Sequence, residues 1–279
     1  MDKTVNTVNL NEDNAAKAFS QQAAIFDQYD AGNTIIQYKR RRVRERVERD
    51  LPPESSILEL NAGTGQDSIY FASRGHRVHA TDIAPGMLEA LRKKVEVQGL
   101  TDKVTRELCS FTRLDELSEK GPYDLIFSNF AGLNCTDELD KVLRSFPALL
   151  KPRGLVVLVI LPPFCLWETL LLFKGKFRTA FRRIFARSGA SSHIEGYYFK
   201  CWYYSPGYVT NCLRDSFELV GLEGLCTIVP PSYIEHFAER YPSVYRWLCK
   251  NEDRLKGKWP WKNIGDYYII ALRKKDPAI

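Results

Sequence analysis

Histidines are few in this chain, and cysteine pairs, repeats and long apolar runs are missing from it. Four histidines and seven cysteines occur in 279 residues, and no two cysteines stand in a C-x-x-C pair. An odd, scattered set argues against both a zinc cluster and a disulfide framework, so no metal site is expected and the chain reads as a protein of a reducing cytoplasm. The first 15 residues are polar, without the apolar core of a signal peptide, so export is not expected. The apolar stretch from Pro162 to Phe173 is too short to span a bilayer and carries Glu168. What remains, 44% hydrophobic and 27% charged residues, is the composition of a soluble globular chain long enough to bury a sizeable core.

The most informative segment is Ser56-Ile-Leu-Glu-Leu-Asn-Ala-Gly-Thr-Gly-Gln-Asp67. It reads as a strand ending near Glu59, a turn through Gly63 and Gly65, and a helix from Gln66 to Ser73 that Gly75 stops. Glycine serves where the backbone takes a positive φ or lies against a ligand with no Cβ in the way. A second extended run, Arg77-Val-His-Ala-Thr-Asp82, ends in an acid 17 residues beyond Gly65, and Pro85 opens the next helix. An acid at the tip of the neighbouring strand can accept hydrogen bonds from both hydroxyls of a ribose, so the pair points to a nucleoside ligand. The nicotinamide fingerprint asks for a small residue at the place occupied by Ser68 and is a near miss.

Glu59-Leu-Asn-Ala-Gly-Thr-Gly65 resembles the first motif of the class I S-adenosylmethionine-dependent methyltransferases, with Asn61 in the first glycine place. The resemblance continues in order. Lys103 to Leu108 is a candidate third strand, followed by Cys109-Ser110-Phe111 where the family often has an acid, and Tyr123 to Asp137 is similar to the fourth strand and loop of the quinone-biosynthesis and small-molecule branch. It implies a doubly wound, Rossmann-like α/β fold with a seven-stranded mixed sheet whose last strand, Tyr267 to Arg273, is antiparallel. It implies S-adenosylmethionine as cofactor, with Glu59, Asn61, Gly63 and Gly65 at the methionine end, Asp82 at the ribose, Ile83 and Met87 beside the adenine, and Ser110 and Phe111 at its edge. Asn129, Phe130 and Leu133 would line the methyl-transfer side.

Four regions are expected: an N-terminal helical lid over 1–50, a cofactor-binding core over 51–161, a helical and aromatic cap inserted after the fifth strand over 162–204, and completion of the sheet over 205–279. An insertion at that place can cover the crevice at the strand tips and select the substrate. Its aromatic run, Tyr197 to Tyr204, reads as an extended segment that could wall a pocket or pack as core. Two basic clusters stand out of a net charge of +6. Lys39 to Arg49 falls on a helix from about Thr34 to Asp50 and reads either as a solvated face paired with glutamates or as a phosphate-binding surface. Lys174 to Arg187 sets Phe177, Phe181, Ile184 and Phe185 on one helical stripe with arginines opposite, which suits core packing or peripheral contact with a membrane surface. Trp259 and Trp261 are expected to anchor the last strand by packing.

Methyl transfer from a sulfonium chiefly needs alignment and exclusion of water. Should the acceptor have to lose a proton, His193 in the cap is the better histidine candidate for the base, with carboxylates and tyrosines equally open. A small-molecule acceptor, aromatic or lipid-like, methylated at oxygen or carbon, is the favoured reading, and nucleic acid is not favoured as a partner. An RNA methyltransferase, a non-catalytic nucleoside-binding relative and an NAD-dependent oxidoreductase stay open as alternatives, and the sequence leaves the oligomeric state open.

Overall fold

Short apolar strands alternate with helix-compatible segments along the chain. In a computed structural model that describes residues 9–175, 177, 181–186 and 188–276, they assemble into one seven-stranded sheet. Strands β1 (Ser56–Leu60), β2 (Arg77–Asp82), β3 (Val104–Leu108), β4 (Tyr123–Ser128) and β5 (Leu150–Ile160) run parallel to their neighbours. A separate hairpin, β6 (Ala190–Ile194) and β7 (Tyr197–Cys201), follows. Strand β8 (Phe217–Leu225) and the final β9 (Tyr267–Lys274) complete the order β3-β2-β1-β4-β5-β9-β8, with β9 antiparallel to both neighbours, as the family resemblance implies.

The period-2 alternation of the strands divides their side chains between two cores. Leu58, Leu60, Ile126, Val156 and Leu158 face α5 (Leu139–Leu149) and α7 (Pro206–Leu213). Ile57, Leu125, Phe127, Leu155 and Val157 face the other side, against α2 (Thr34–Glu48), α3 (Gln66–Ala72) and α4 (Pro85–Val97). Local signals set the helix starts: the Asn33 side chain caps α2 by accepting from the Ile35 and Ile36 amides, and Pro85 sits in the first turn of α4.

The N-terminal region behaves as two different elements. Helix α1 (Leu10–Ala31) crosses the C-terminal edge of the sheet, whereas α2 is part of the layered core, its Val43 and Val47 wholly buried. The basic cluster of α2 is only in part solvated: Arg41, 3.6 Å from Glu45, and Arg49 are exposed, whereas Lys39, Arg40, Arg42 and Arg46 are all buried. Apart from Asp50, one turn beyond Arg46, their main counter-ions lie elsewhere in the chain. Arg42 meets Glu223 at 3.2 Å and Asp253 at 2.9 Å, and Arg40 pairs with Asp30 and Asp67. Nearby Glu45 and Glu48, which the helical spacing offered as partners, stay largely outside this network.

The segment after β5 also differs from expectation. It begins with the short α6 (Leu166–Leu170) and continues into the β6–β7 hairpin, which packs on α1 rather than over the cavity at the strand tips. Phe199 is buried with Ala15 and Ala18, and its ring lies 5.7 Å from that of Phe19. The Asn11 side chain bonds Lys200 through its amide and carbonyl and also reaches Cys135 O. The Lys174 to Arg187 stripe lies partly outside the described residues. Within it Phe177, Phe181, Ile184 and Phe185 are exposed, while Arg183 is buried between Glu168 and Asp266 at 2.8 and 2.7 Å. Trp259 is 79% exposed and is not the packing anchor its position suggested.

Candidate active site

The chain leaves β1 through Asn61 and turns at Gly63 and Gly65, all three at positive φ, before entering α3. The turn is tied to β2 by one carboxylate. Asp82 Oδ2 accepts from the Gly63 amide at 2.8 Å and Oδ1 from the Ala84 amide at 2.8 Å. Burial raises the Asp82 pKa, and these amide bonds oppose the rise. A Cβ at Gly63 would meet nothing within 4 Å, so the turn opens onto free space there. Gly65 has another use: a Cβ would come within 2.6 Å of Leu91 Cγ, so its bare backbone lets α3 start against α4.

Asn61 departs from the family's glycine, and the structure shows how. Asparagine tolerates the left-handed region better than most residues. Its Nδ2 donates to Asn129 O at 2.9 Å and its Oδ1 accepts from Ser128 Oγ at 2.6 Å, which ties the tip of β1 to the tip of β4. The space for this side chain comes from Gly132 on the facing loop, where any Cβ would collide with it. The glycine absent at position 61 is thus matched by one at 132.

Behind the turn lies a buried charge cluster. Asp67 accepts from Arg40 Nη1 at 2.6 Å, Arg44 Nε at 2.7 Å and Asn129 Nδ2 at 2.8 Å. Burial pushes its pKa up, but Arg40 and Arg44 outweigh that and hold it below the ordinary aspartate value. Glu59, which accepts from Ser68 Oγ, shifts the other way: burial raises its pKa and the Asp67 charge adds to the rise.

A cavity of about 390 Å³ runs over the strand tips. It passes from Ser110 and Phe111 after β3, by Asp82 and Gly63, to Asn129 and Phe130 after β4 and Tyr267 at the start of β9. Every cofactor residue expected from the sequence lines it except Gly65, which packs on Leu91, and Leu133, which is wholly buried in the core under β4 and β5. His193 is not there. It is exposed on β6 with its ring 4.4 Å from Tyr198, which removes it as a base for chemistry in this cavity.

Helix α1, not the 162–204 segment, closes the cavity: among the described residues none of that segment lines it, while α1 contributes Glu12, Ala15, Phe19 and Phe26. Glu12 is buried and accepts from Ser110 Oγ at 2.8 Å and Thr112 Oγ1 at 2.9 Å. Sequence reasoning missed it because a glutamate in the first turn of a helix reads as a dipole partner. It also missed Lys39, Arg40 and Tyr267.

Residues 57–154 match the model of a family described as a methyltransferase domain. The malonyl-[acyl-carrier protein] O-methyltransferase of Halorhodospira halophila is 28% identical over 149 residues, which cover 51% of this chain and 47% of that one. The S-adenosyl-L-methionine-dependent Diels-Alderase iccD of Talaromyces variabilis is 32% identical over 110 residues, 39% of this chain and 37% of that one. The chain therefore spans less than half the length of either relative. Among solved structures, the [4+2]-cyclase SpnF superposes with a TM-score of 0.61 at 16% identity, covering 96% of this chain and 97% of that one.

The strand order, the antiparallel β9 and the cavity over the tips of β3, β2, β1 and β4 define the class I methyltransferase fold. Its core segment, residues 57–154, matches a methyltransferase domain, and the chain as a whole shares its fold with the cyclase.

Proposed function

We propose that the protein transfers the methyl group of S-adenosylmethionine to a small-molecule acceptor, aromatic or lipid-like, at oxygen or carbon. The observation that carries this reading is the buried Asp82 beside a glycine turn that opens onto the cavity. Each Asp82 oxygen accepts one amide bond and keeps capacity for a ribose hydroxyl, and Gly63 presents backbone without a Cβ to the ligand. Glu12 would supply the carboxylate at the adenine edge that the loop after β3 lacks, since it already bonds Ser110 and Thr112. When bound, S-adenosylmethionine supplies an electrophilic methyl group on a sulfonium. The residues of the chain orient and enclose: Asn61 and Asn129 fix the tips of β1 and β4 together, α1 excludes water, and Phe130 and Tyr267 wall the acceptor end.

Calorimetric titration with S-adenosylmethionine, S-adenosylhomocysteine and NADH tests the cofactor. Binding of the first two and not the third is expected, with Asp82→Ala weakening S-adenosylhomocysteine at least about tenfold through two lost charged hydrogen bonds. NADH binding alone, or unchanged affinity in the variant, would sink the reading. A second reading, cofactor binding without methyl transfer, is favoured by the likeness to the Diels-Alderase and to the cyclase fold. Tight cofactor binding with no labelled methyl accepted from a panel of phenols, quinols and fatty acids would support it. The RNA reading loses ground because Arg40, Arg42 and Arg46 of α2 are internal.

Exposed Phe173, Phe177, Phe181, Ile184 and Phe185, with half-exposed Arg182 beside them, further support peripheral contact with an anionic bilayer surface. No helix among the described residues is long and apolar enough to cross a membrane.

A further inference from the structure

The acceptor end of the cavity has apolar walls and two cations, Lys39 and Arg40. Phe130 and Tyr267 meet edge to face at 6.3 Å, and Ile36 and Phe26 add apolar surface. Into this setting α2 delivers Lys39, which is 2% exposed. Among the described residues its Nζ forms one hydrogen bond, to Ser232 Oγ at 2.9 Å. It lies 4.7 Å from the centre of the Tyr267 ring and 5.6 Å from that of Phe130. Asp266 Oδ2 stands 3.9 Å away, too far for a hydrogen bond, while Asp266 Oδ1 and its carbonyl are taken up by Arg183 at 2.7 Å each.

An ammonium has three donors. Two of those on Lys39 therefore have no protein partner among the described residues, in surroundings where unmet charged donors are costly. Its neighbour Arg40 also has an unmet donor, Nε, among the described residues, but its charge is balanced by two carboxylates, Asp30 and Asp67. A lysine serving only to tie α2 to the loop at Ser232 would need a single donor and no place in the cavity wall. Burial acts to lower the Lys39 pKa, while Tyr267, Asp266, Cys226 and Asp30 act to raise it, and the net direction is up.

We propose that Lys39 is the anchor for an anionic oxygen of the acceptor, so that the substrate class is an acid, carboxylate or acidic phenol or enol, carried on an apolar body. The inference rests on the methyl-transfer reading above and names the acceptor of that same site. It also removes the need for a histidine in the cavity when the methyl group goes to that oxygen, because an oxygen that arrives ionised has no proton to lose.

Three probes of one shape test it by calorimetry: 2-naphthoate, 2-naphthamide and 2-naphthylmethylamine, titrated into protein saturated with S-adenosylhomocysteine. Naphthoate is expected to bind at least about tenfold tighter than the amide, with the amine weakest. In Lys39→Met this preference disappears while affinity for S-adenosylhomocysteine is retained, and Lys39→Arg keeps the preference. Equal affinities in the wild type, no naphthoate binding up to its solubility, or a preference that survives Lys39→Met would overturn the assignment. Should Lys39→Met not fold, the wild-type series and Lys39→Arg decide. Failure of S-adenosylhomocysteine to bind would instead strike the cofactor reading, and the same series on ligand-free protein would still judge Lys39.

Discussion

At the scale of single residues, Asp67 shows how much of this site is electrostatic scaffolding. Three donors converge on it, and two of them are guanidinium groups. Its folded pKa lies below the ordinary 3.8, despite burial, because of Arg40 and Arg44. For a carboxylate with a depressed folded value, the folded state binds fewer protons than the unfolded one. The stabilisation is therefore fully present above 3.8 and is lost as the pH falls through the lower, folded value. Arg44→Ala removes one of the two cations, and a loss of about 2 kcal/mol is expected in urea unfolding near neutrality. That gap should close only below pH 3.8, as Asp67 takes up its proton in the folded state. A gap that persists there would mean that Arg44 acts through its stacking on Tyr70, whose ring centre is 3.9 Å away, and not through charge.

At the scale of elements, α1 is the part whose role the structure changes most. It is held from outside by the β6–β7 hairpin and turns Glu12 inward onto Ser110 and Thr112. If Glu12 stands at the adenine edge, Glu12→Gln should weaken S-adenosylhomocysteine about tenfold with little change in melting temperature, since a glutamine can still bond both hydroxyls. A variant that melts earlier yet binds as well would show Glu12 to be only a clamp on α1. Why this was hidden, while the β1–turn–α3–β2 unit was plain, is a matter of range. That unit is specified by neighbours: apolar runs, two glycines, an acid at a strand tip. Glu12 meets Ser110 across 98 residues, and no local pattern encodes such a meeting. The basic helix was misread for the same reason, because Glu45 and Glu48 lay at helical spacing while Glu223 and Asp253 did not. The aromatic alternation from Tyr197 gave an extended segment correctly, but which element it would pack on was fixed only by α1 arriving over the sheet.

At the scale of the whole molecule, the distribution of charge matters more than its sum. Lys39, Arg40, Arg42 and Arg46 on α2 and Arg183 under α6 are spent inside against buried acids, so the two basic clusters of the sequence offer a polyanion less than their residue count suggests. What the surface does offer is apolar: Phe173 is 89% and Phe185 76% exposed, with the Phe181 ring 5.8 Å from that of Phe185. Such a patch beside Arg182 suits a bilayer whose acyl boundary takes the rings and whose anionic headgroups meet the cation. Arg183 is unsuitable for testing this, because reversing its charge would set a third carboxylate against Glu168 and Asp266 in the interior. Phe185→Ser touches only the exposed face. The wild type should co-sediment with vesicles of phosphatidylcholine containing phosphatidylserine and less with phosphatidylcholine alone. The variant should bind about tenfold more weakly, the loss of one buried phenylalanine being roughly 1.5–3 kcal/mol, with its affinity for S-adenosylhomocysteine unchanged. A wild type that stays in the supernatant at low salt would mean that the patch faces water or another protein, and that an apolar acceptor reaches Lys39 from solution.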